Sequence, residues 1–260
     1  MTGANVAVER DGRILEIVVD RADKMNAFTP EMFDGLADAL TLLDEDPDIW
    51  VGVLTFAGRH ATAGLDLPKF ADAMRSGERD AAVDDRVDGF ALRRRCRKPL
   101  VMAVQGVTFT IGIEMLLAAD IVVAADDCRF CQLEPKRGLA VFGGAHFRYV
   151  QRAGWGNAMY HLLRADEFDA NRARELGFVQ EVVPAGSQIA RARELAREIC
   201  ANAPIAVQEI KRAAMVYVES GEAAAIAEIP VMRQRTANSD DFREGVASFM
   251  EKRTPTFSGK

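Results

Sequence analysis

Cysteine and histidine are both scarce in this chain of 260 residues, which contains four Cys and three His. So few cysteines argue against a disulfide-stapled scaffold and favour reduced thiols. His60, His146 and His161 are too scattered to form an H-E-x-x-H zinc motif. Cys128 and Cys131 form a lone C-x-x-C, which we interpret as two ordinary thiols because no second cysteine pair accompanies it. We therefore expect no metal site.

Long hydrophobic runs and excess positive charge are missing as well. No stretch of 18 apolar residues occurs, and charges interrupt the first 25 residues, so we expect neither a membrane span nor a signal peptide. A net charge of −6 disfavours nonspecific nucleic-acid binding. The serine-hydrolase, Walker and Rossmann glycine motifs do not occur. We expect a cytoplasmic protein that binds neither membranes nor nucleic acids.

The remaining composition is that of a globular α/β protein, with 49% hydrophobic and 28% charged residues. Helical periodicity separates short segments rich in branched residues, which predicts an α/β core. A helix is expected after Thr29, with Pro30 at its first position. From about Ser187 the chain is expected to be wholly helical, with breaks at Pro204 and Gly221. The predicted strands are Ile14–Val19, Val51–Phe56, Leu100–Val104, Ile121–Ala124 and Val179–Val183.

Residues 70–98 differ from the rest, because Asp and Arg are frequent there and strand formers are few. We predict a helical excursion with mobile parts. Its basic end, from Arg93 to Lys98, is expected to be a solvated helix end, where cations suit the helix dipole. The alternative is that this run attracts the phosphates of a ligand.

Two glutamates mark the candidate chemistry. A strand at Leu100–Val104 leads into a helix that starts near Gly112, and Glu114 lies in its first turns. The N–H groups at such a helix start can stabilise an oxyanion. Glu134 follows 20 residues later, so the two carboxylates are candidates for an acid–base pair. Each glutamate, considered on its own, also has a purely structural explanation. Glu114 would be favoured by the dipole at a helix N-terminus, and Glu134 would be a solvated carboxylate in a loop.

The loop at residues 57–67 favours the catalytic interpretation of the two glutamates. Its sequence is A-G-R-H-A-T-A-G-L-D-L. Together with K-P-L-V-M-A-V-Q-G from Lys98, it resembles two blocks of the enoyl-CoA hydratase/isomerase (crotonase) superfamily. Three further segments resemble that family in order: residues 21–27, residues 170–184 and residues 243–253. The resemblance covers nearly the whole chain.

The resemblance implies a crotonase-like spiral of ββα repeats over residues 1–190 and a C-terminal helical oligomerisation region over residues 191–260, forming a homotrimer or a hexamer. It implies that the N–H groups of Leu65 and Ile111 bind a thioester carbonyl, and that Glu114 and Glu134 are catalytic. Neighbouring positions implied to contact the substrate are Gly64, Asp66, Leu67 and Gly112. The positions implied to contact CoA are Lys24, Met25, Ala61, Ala63, Phe249 and Lys252, and the last two can reach CoA from another subunit.

Two glutamates at this separation are typical of the family's hydratases, whereas its isomerases usually keep the second alone. The resemblance therefore implies an enoyl-CoA hydratase of fatty-acid β-oxidation, with CoA entering as part of the substrate and no other cofactor. An isomerase, dehalogenase or acyl-CoA hydrolase of the same superfamily, or a catalytically weak acyl-CoA-binding subunit, stays open as an alternative.

Three departures from the family pattern bear on these roles. Thr110-Ile111-Gly112-Ile113 replaces a glycine-rich loop, so a positive φ at Ile111 would be strained and the pocket narrower. Pro135 and Arg137 stand where the family more often has apolar residues, and Lys136 or Arg137 would lower the pKa of Glu134 if it lies close to that carboxyl. Ala61 lies where the family commonly has Phe.

Overall fold

The computed structural model describes residues 5–71 and 85–260. The strands of these residues are β1 (Val6–Asp11), β2 (Ile14–Val19), β3 (Val51–Phe56), β4 (Leu100–Val104), β5 (Val107–Phe109), β6 (Ile121–Ala125), β7 (Arg129–Cys131), β8 (Phe168–Asp169) and β9 (Glu181–Val183). The α-helices are α1 (Pro30–Glu45), α2 (Ile111–Ala118), α3 (Ala145–Arg164), α4 (Ala170–Glu175), α5 (Gln188–Cys200), α6 (Pro204–Ala237) and α7 (Asp240–Glu251). Short 3₁₀ helices lie at Ala22–Lys24, Leu67–Lys69 and Glu134–Arg137.

A six-stranded sheet in the order β1-β2-β3-β4-β6-β9 forms the centre of the fold. Strands β1 and β2 form an antiparallel hairpin, and all other neighbouring strands of this sheet pair in parallel. The predicted strands are confirmed, although the last begins at Glu181 rather than Val179. Strand β1 was not predicted, because its outer half carries exposed charged residues that suit a sheet edge.

A second sheet of three strands, β5-β7-β8, gives the fold its spiral form. The chain leaves the large sheet at the end of β4, enters the small sheet as β5 and continues into α2. It repeats the path through β6, β7 and α3. The predicted ββα repeats and the α/β class are therefore confirmed. Between β4 and β5, Gly106 has φ 53°, and a Cβ there would lie 2.4 Å from the carbonyl oxygen of Arg59.

Alternate residues of the central strands pack on opposite faces of the large sheet, which explains why these strands are apolar throughout. On one face Phe56, Met102 and Val122 join the larger core with α1, α2 and α3. On the other face Val53, Val101 and Val123 pack against Ala192 and Ala196 of α5.

Helix α1 begins as predicted: Thr29 accepts a hydrogen bond from Met32 N at 3.4 Å, and Pro30 occupies the first position. Gly154 and Gly221 adopt non-helical backbone angles inside α3 and α6, so each long helix is two helices joined at a glycine. Helix α5 spans residue 190 and packs on the sheet, so the core continues beyond that position.

The helical excursion expected for residues 70–98 lies partly outside the described residues, at 72–84. In the described part, residues 85–98 form turns and bends instead of a helix. Asp88 organises them, since its carboxylate accepts from the N–H groups of Phe90, Leu92 and Arg93. The expectation of a basic helix end here was wrong: Arg94 and Arg97 pair with Asp44 near the end of α1.

Across the described ranges, the helices are all too short or too polar to cross a membrane.

Candidate active site

Backbone pairing fixes the loop after β3 alongside β5. Thr62 N donates to Val107 O at 3.1 Å, and Phe109 N donates to Thr62 O at 2.9 Å. The loop therefore runs beside the chain that enters α2. Gly64, with φ 110°, touches Thr110 so closely that a Cβ would lie 2.4 Å from Thr110 Oγ1. Only glycine suits this position, and the contact brings Leu65 next to the start of α2.

Two backbone N–H groups, those of Leu65 and Ile111, face the space between the loop and α2 without internal partners. Phe28 N donates to Gly64 O and Asp66 N donates to Phe28 O, so the intervening N–H of Leu65 points the other way. Ile111 is the first residue of α2, where the N–H has no partner within the helix. Within residues 5–71 and 85–260 neither group donates a hydrogen bond, which leaves both available to a carbonyl oxygen.

The backbone strain expected at Ile111 lies one residue earlier. Ile111 is helical, whereas Thr110 has φ 50° and ψ −115°. That region is costly for a β-branched residue. The hydroxyl oxygen of Thr110 is buried without a hydrogen-bond partner in the described chain. The strain at Thr110 turns the chain so that the N–H of Ile111 stands free.

Glu114 lies one turn into α2 and is fully buried. Its Oε1 accepts from Ala145 N at 3.1 Å. Burial raises the pKa of Glu114, while the backbone N–H groups of Ala145 and Gly143 and the positive charge of Arg148 oppose this shift. Gly143 lies against the carboxylate, because a Cβ there would be 2.4 Å from Glu114 Oε2.

Arg148 stabilises the segment that holds Glu114. Its guanidinium is buried and donates to Gly143 O at 3.2 Å, to Phe90 O at 2.6 Å and to Ala91 O at 3.2 Å. Burial lowers the pKa of Arg148 to about 10, so it still carries its charge near neutral pH. The cation therefore fixes the backbone beside Glu114 and favours the ionised form of that carboxyl.

Glu134 opens the 3₁₀ helix Glu134–Arg137 and is only 5% exposed, so it is not the solvated loop carboxylate that its position alone would suit. Burial raises its pKa to about 7; its own backbone N–H opposes the shift, and the negative charge of Glu114 adds to it. Its Oε2 has no hydrogen-bond partner among the described residues. The expectation that Lys136 or Arg137 lowers this pKa was wrong, because both side chains are exposed and burial dominates.

A cavity of about 160 Å³ joins these groups. Of the positions predicted from the sequence, Ala63, Leu65, Leu67, Ile111 and Glu134 line it. Further lining residues, which the sequence did not single out as contacts, are Thr110, Leu133, Arg137, Leu139 and Phe142. The cavity therefore brings both free N–H groups and one glutamate together, with Glu114 buried behind the wall.

Other predicted contacts lie at or away from the edge of this site. Met25, 46% exposed, accepts a hydrogen bond from Ala63 N at 3.0 Å and follows Lys24 in an adjacent turn. Asp66 pairs with Arg21 at 2.9 Å. Gly112 packs on Thr62, leaving no room for a Cβ.

Ala61, predicted to contact CoA, is fully buried in the core and donates its N–H to Gln105 O, so its side chain cannot reach a ligand in this structure. Phe249 and Lys252 lie in and just after α7, exposed, and neither lines the cavity of their own chain.

The remaining candidate residues, His60 and the two cysteines of the C-x-x-C, take part in loop anchoring and core packing. His60 Nδ1 accepts from Val107 N at 3.1 Å, so this ring helps to anchor the loop to β5. Cys128 and Cys131 are buried free thiols, and burial raises their pKa values to about 12 and about 11. In the described ranges, no three His, Cys, Asp or Glu side chains form a group suited to a metal ion.

A larger, open depression of about 440 Å³ shares no residue with this cavity. It is lined by Arg129, Glu167, Phe168, Asp169 and Arg172. Arg129 pairs there with Glu167 at 2.6 Å, and Arg172 pairs with Glu175 at 3.0 Å. These charges are paired with one another or with neighbouring side chains, and neither candidate glutamate lines the depression, so the smaller cavity is the better candidate for chemistry.

Comparison with known proteins agrees with this geometry. The family model described as enoyl-CoA hydratase/isomerase matches residues 9–260. An enoyl-CoA hydratase of Mycobacterium tuberculosis is 35% identical, covering 100% of this chain and 98% of that protein. The 1,2-epoxyphenylacetyl-CoA isomerase of Escherichia coli is 31% identical, covering 95% of each. A crystal structure of a probable enoyl-CoA hydratase/isomerase from Mycobacterium abscessus is 39% identical with a TM-score of 0.94, covering 98% of this chain and 99% of that one. The chain belongs to the enoyl-CoA hydratase/isomerase family of the crotonase superfamily.

Proposed function

We propose that this protein is an enoyl-CoA hydratase that adds water across the α,β double bond of a 2-enoyl-CoA thioester. The observation that carries the proposal is the meeting, in one cavity, of two free backbone donors with a buried glutamate whose pKa is about 7. Donors fixed in this way stabilise an oxyanion without reorganisation. A carboxyl that is half protonated near neutral pH can deliver a proton.

In the proposed mechanism the N–H groups of Leu65 and Ile111 bind the thioester oxygen. Glu114, whose ionised form the charge of Arg148 favours, takes a proton from water as the water oxygen bonds to the β-carbon. The double-bond electrons move to form an enolate, whose oxygen the two donors stabilise. Glu134 then protonates the α-carbon, and proton exchange returns both carboxyls to their starting states. The product is a 3-hydroxyacyl-CoA, with water as the only species added.

The positions of the predicted contact residues support one orientation of the substrate in the cavity. We propose that Gly64, Asp66, Leu67 and Gly112 shape the carbonyl site through backbone conformation, and that Lys24, Met25 and Ala63 border the entry of the CoA arm. The contact between Met25 and Ala63 supports this, because it joins that turn to the cavity wall. No role is proposed for the buried side chain of Ala61.

We further propose a homotrimer or hexamer assembled through the C-terminal helices. Exposed apolar side chains along α6 and α7 support this assembly, among them Ile226, Ile229, Val246, Phe249 and Met250. Contact of Phe249 and Lys252 with CoA would then come from a neighbouring subunit. Four free cysteines support a reducing compartment, for which we propose the cytoplasm, and fatty-acid β-oxidation is the proposed setting.

The test is loss of the conjugated-thioester absorbance of crotonyl-CoA, with Glu114→Gln and Glu134→Gln run beside the wild type. We expect turnover that falls by about 10²-fold or more in each variant. A folded wild-type protein that turns over no 2-enoyl-CoA contradicts hydration. Conversion of a 3-enoyl-CoA that depends on Glu134 alone would instead identify an isomerase, the second candidate that the family name allows.

A further inference from the structure

Among the described residues that line the cavity, Arg137 alone carries a charge that has no place in the proposed mechanism. Leu133, Leu139 and Phe142, which line the same cavity, are apolar. Within the described chain the guanidinium of Arg137 makes no ion pair and no hydrogen bond, and its side chain is exposed. Other arginines of this protein pair with its own carboxylates, as Arg94 does with Asp44 and Arg191 with Glu181. An unpaired guanidinium in an apolar wall is suited to an anion supplied by a ligand.

The short helix places Arg137 on the same cavity wall as Glu134. Residues three apart in a 3₁₀ helix lie on the same face, about 6 Å apart along the axis. Glu134 and Arg137 are the first and last residues of such a turn, and both line the cavity. Arg137 nevertheless does not lower the pKa of Glu134. The same wall therefore carries Glu134 and, one 3₁₀ turn away, an exposed guanidinium that makes no ion pair with that carboxyl.

The size of the cavity decides which part of a thioester meets this wall. A cavity of about 150 Å³ holds a benzene-sized group, and the volume here is about 160 Å³. That space is filled by the thioester carbonyl and a short acyl segment. The phosphates of CoA lie at the far end of the pantetheine arm, beyond a cavity of this size. An anion that meets Arg137 from within this cavity would then belong to the acyl chain.

We propose that Arg137 binds a carboxylate at the end of the acyl chain, so that the preferred substrates are 2-enoyl-CoA thioesters of dicarboxylic acids. This inference rests on the proposed function and specifies its substrate class. Exposed Arg137 and Phe142 lie where the buried floor of the cavity, Ile111 and Glu134, gives way to solvent. A terminal carboxylate can thus keep part of its hydration while it accepts bonds from the guanidinium.

The test compares kcat/KM for a six-carbon 2-enoyl-CoA with that for its counterpart ending in a carboxylate. We expect wild type to prefer the carboxylated thioester, and Arg137→Gln to lower that preference by about 10- to 100-fold. Arg137→Lys should retain part of it. Lys136→Gln is the matched control, because Lys136 is an exposed neighbour that does not line the cavity; it should leave the preference unchanged.

Pantetheine thioesters of the same two acids distinguish a carboxylate contact from a phosphate contact. The inference is overturned if Arg137→Gln lowers kcat/KM equally for both acyl groups and this effect disappears in the pantetheine thioesters, which lack the CoA phosphates. It is also overturned if Arg137→Gln leaves the preference for the carboxylated thioester unchanged. Calorimetric titration with the saturated carboxylated acyl-CoA separates this inference from hydration. Arg137-dependent binding of that unreactive ligand would sustain the inference even in a protein that hydrates nothing.

Discussion

The carboxylate of Glu114 accepts a hydrogen bond from the backbone N–H of Ala145 at 3.1 Å, although 31 residues separate them in the sequence. The contact joins the first turn of α2 to the first residue of α3, and so holds a fully buried acid in one orientation. A base that is fixed in this way needs little reorganisation when a water molecule approaches. The residues that surround Glu114 should therefore control its reactivity.

Replacing Gly143 by Ala is expected to displace Glu114. The added Cβ would lie 2.4 Å from Glu114 Oε2 and 2.9 Å from Phe90 Cδ1, so the carboxylate has to move. Because small displacements of catalytic groups are costly, we expect kcat for enoyl-CoA hydration to fall by about 10²-fold. Gly156→Ala is the control, since a Cβ there meets nothing within 4 Å. Equal activity of the two variants would contradict the packing described here.

Removing the charge of Arg148 is expected to raise the pKa of Glu114. In Arg148→Met the opposing positive charge is lost, while burial of the carboxyl remains. The acidic limb of the pH profile of kcat/KM should therefore move to higher pH, and Arg148→Lys should restore part of the difference. Arg152→Met serves as the control, because Arg152 donates to Gly177 O and not to the segment beside Glu114. An acidic limb unmoved in Arg148→Met would show that Arg148 only supports the fold.

The alkaline limb of the same profile is expected to report Glu134. Burial raises the pKa of this acid to about 7, so its protonated form predominates below that pH and is lost above it. A reaction that needs Glu134 as the proton donor should therefore slow as the pH rises through about 7. The limb should be absent from the residual activity of Glu134→Gln, whose amide does not titrate. A wild-type rate that instead rises through this range would assign Glu134 the role of base.

Thr110→Gly is expected to stabilise the protein. The backbone of Thr110 lies at φ 50° and ψ −115°, where glycine is unstrained and threonine is not. Relief of this strain is partly offset by the greater conformational entropy that glycine loses on folding. We expect the free energy of unfolding, measured by urea denaturation, to rise by about 1 kcal/mol. Thr110→Ser keeps a Cβ and should not show this gain. A less stable glycine variant would mean that the buried hydroxyl contributes more than the strain costs.

Asp44→Asn is expected to destabilise the protein by about 1–3 kcal/mol, because Asp44 is 2% exposed and holds the basic segment onto α1. It accepts from Arg97 N at 2.6 Å and from Arg94 Nη2 at 2.9 Å. Burial alone would raise the pKa of Asp44, but the backbone N–H of Arg97 and the guanidinium of Arg94 outweigh it and lower the pKa.

The stability that Asp44 contributes should be full at neutral pH and should disappear as the pH falls below about 3.9, through the lowered folded-state pKa. Urea midpoints of wild type and Asp44→Asn should therefore converge in acid. Asp38→Asn is the matched control, since its partner Arg86 pairs with it at an exposed site where little is gained. A constant difference between the midpoints at all pH values would contradict the assignment.

The family, the alternation of strands and helices, and the two candidate glutamates could all be predicted from the sequence alone. Apolar periodicity and the Thr29-Pro30 start identify α1, and the branched runs identify the inner strands, because these signals are local in the chain. The glycines at 154 and 221 mark real breaks in long helices for the same reason. Edge strand β1 escaped prediction, since exposed polar residues weaken the pattern on which strand prediction depends.

The chemical properties of the site residues, in contrast, depend on the folded structure. Whether Glu134 is a base or an acid depends on its burial and on the nearby charge of Glu114, neither of which follows from the cations that flank it in sequence. The strain lies at Thr110 and not at Ile111 because the position of Gly64 fixes the turn there. Arg137 belongs to the cavity because a single turn of 3₁₀ helix sets it on the face of Glu134. Sequence distance does not determine these relationships, because burial, electric field and free hydrogen-bonding capacity all arise from segments that meet only when the chain is folded.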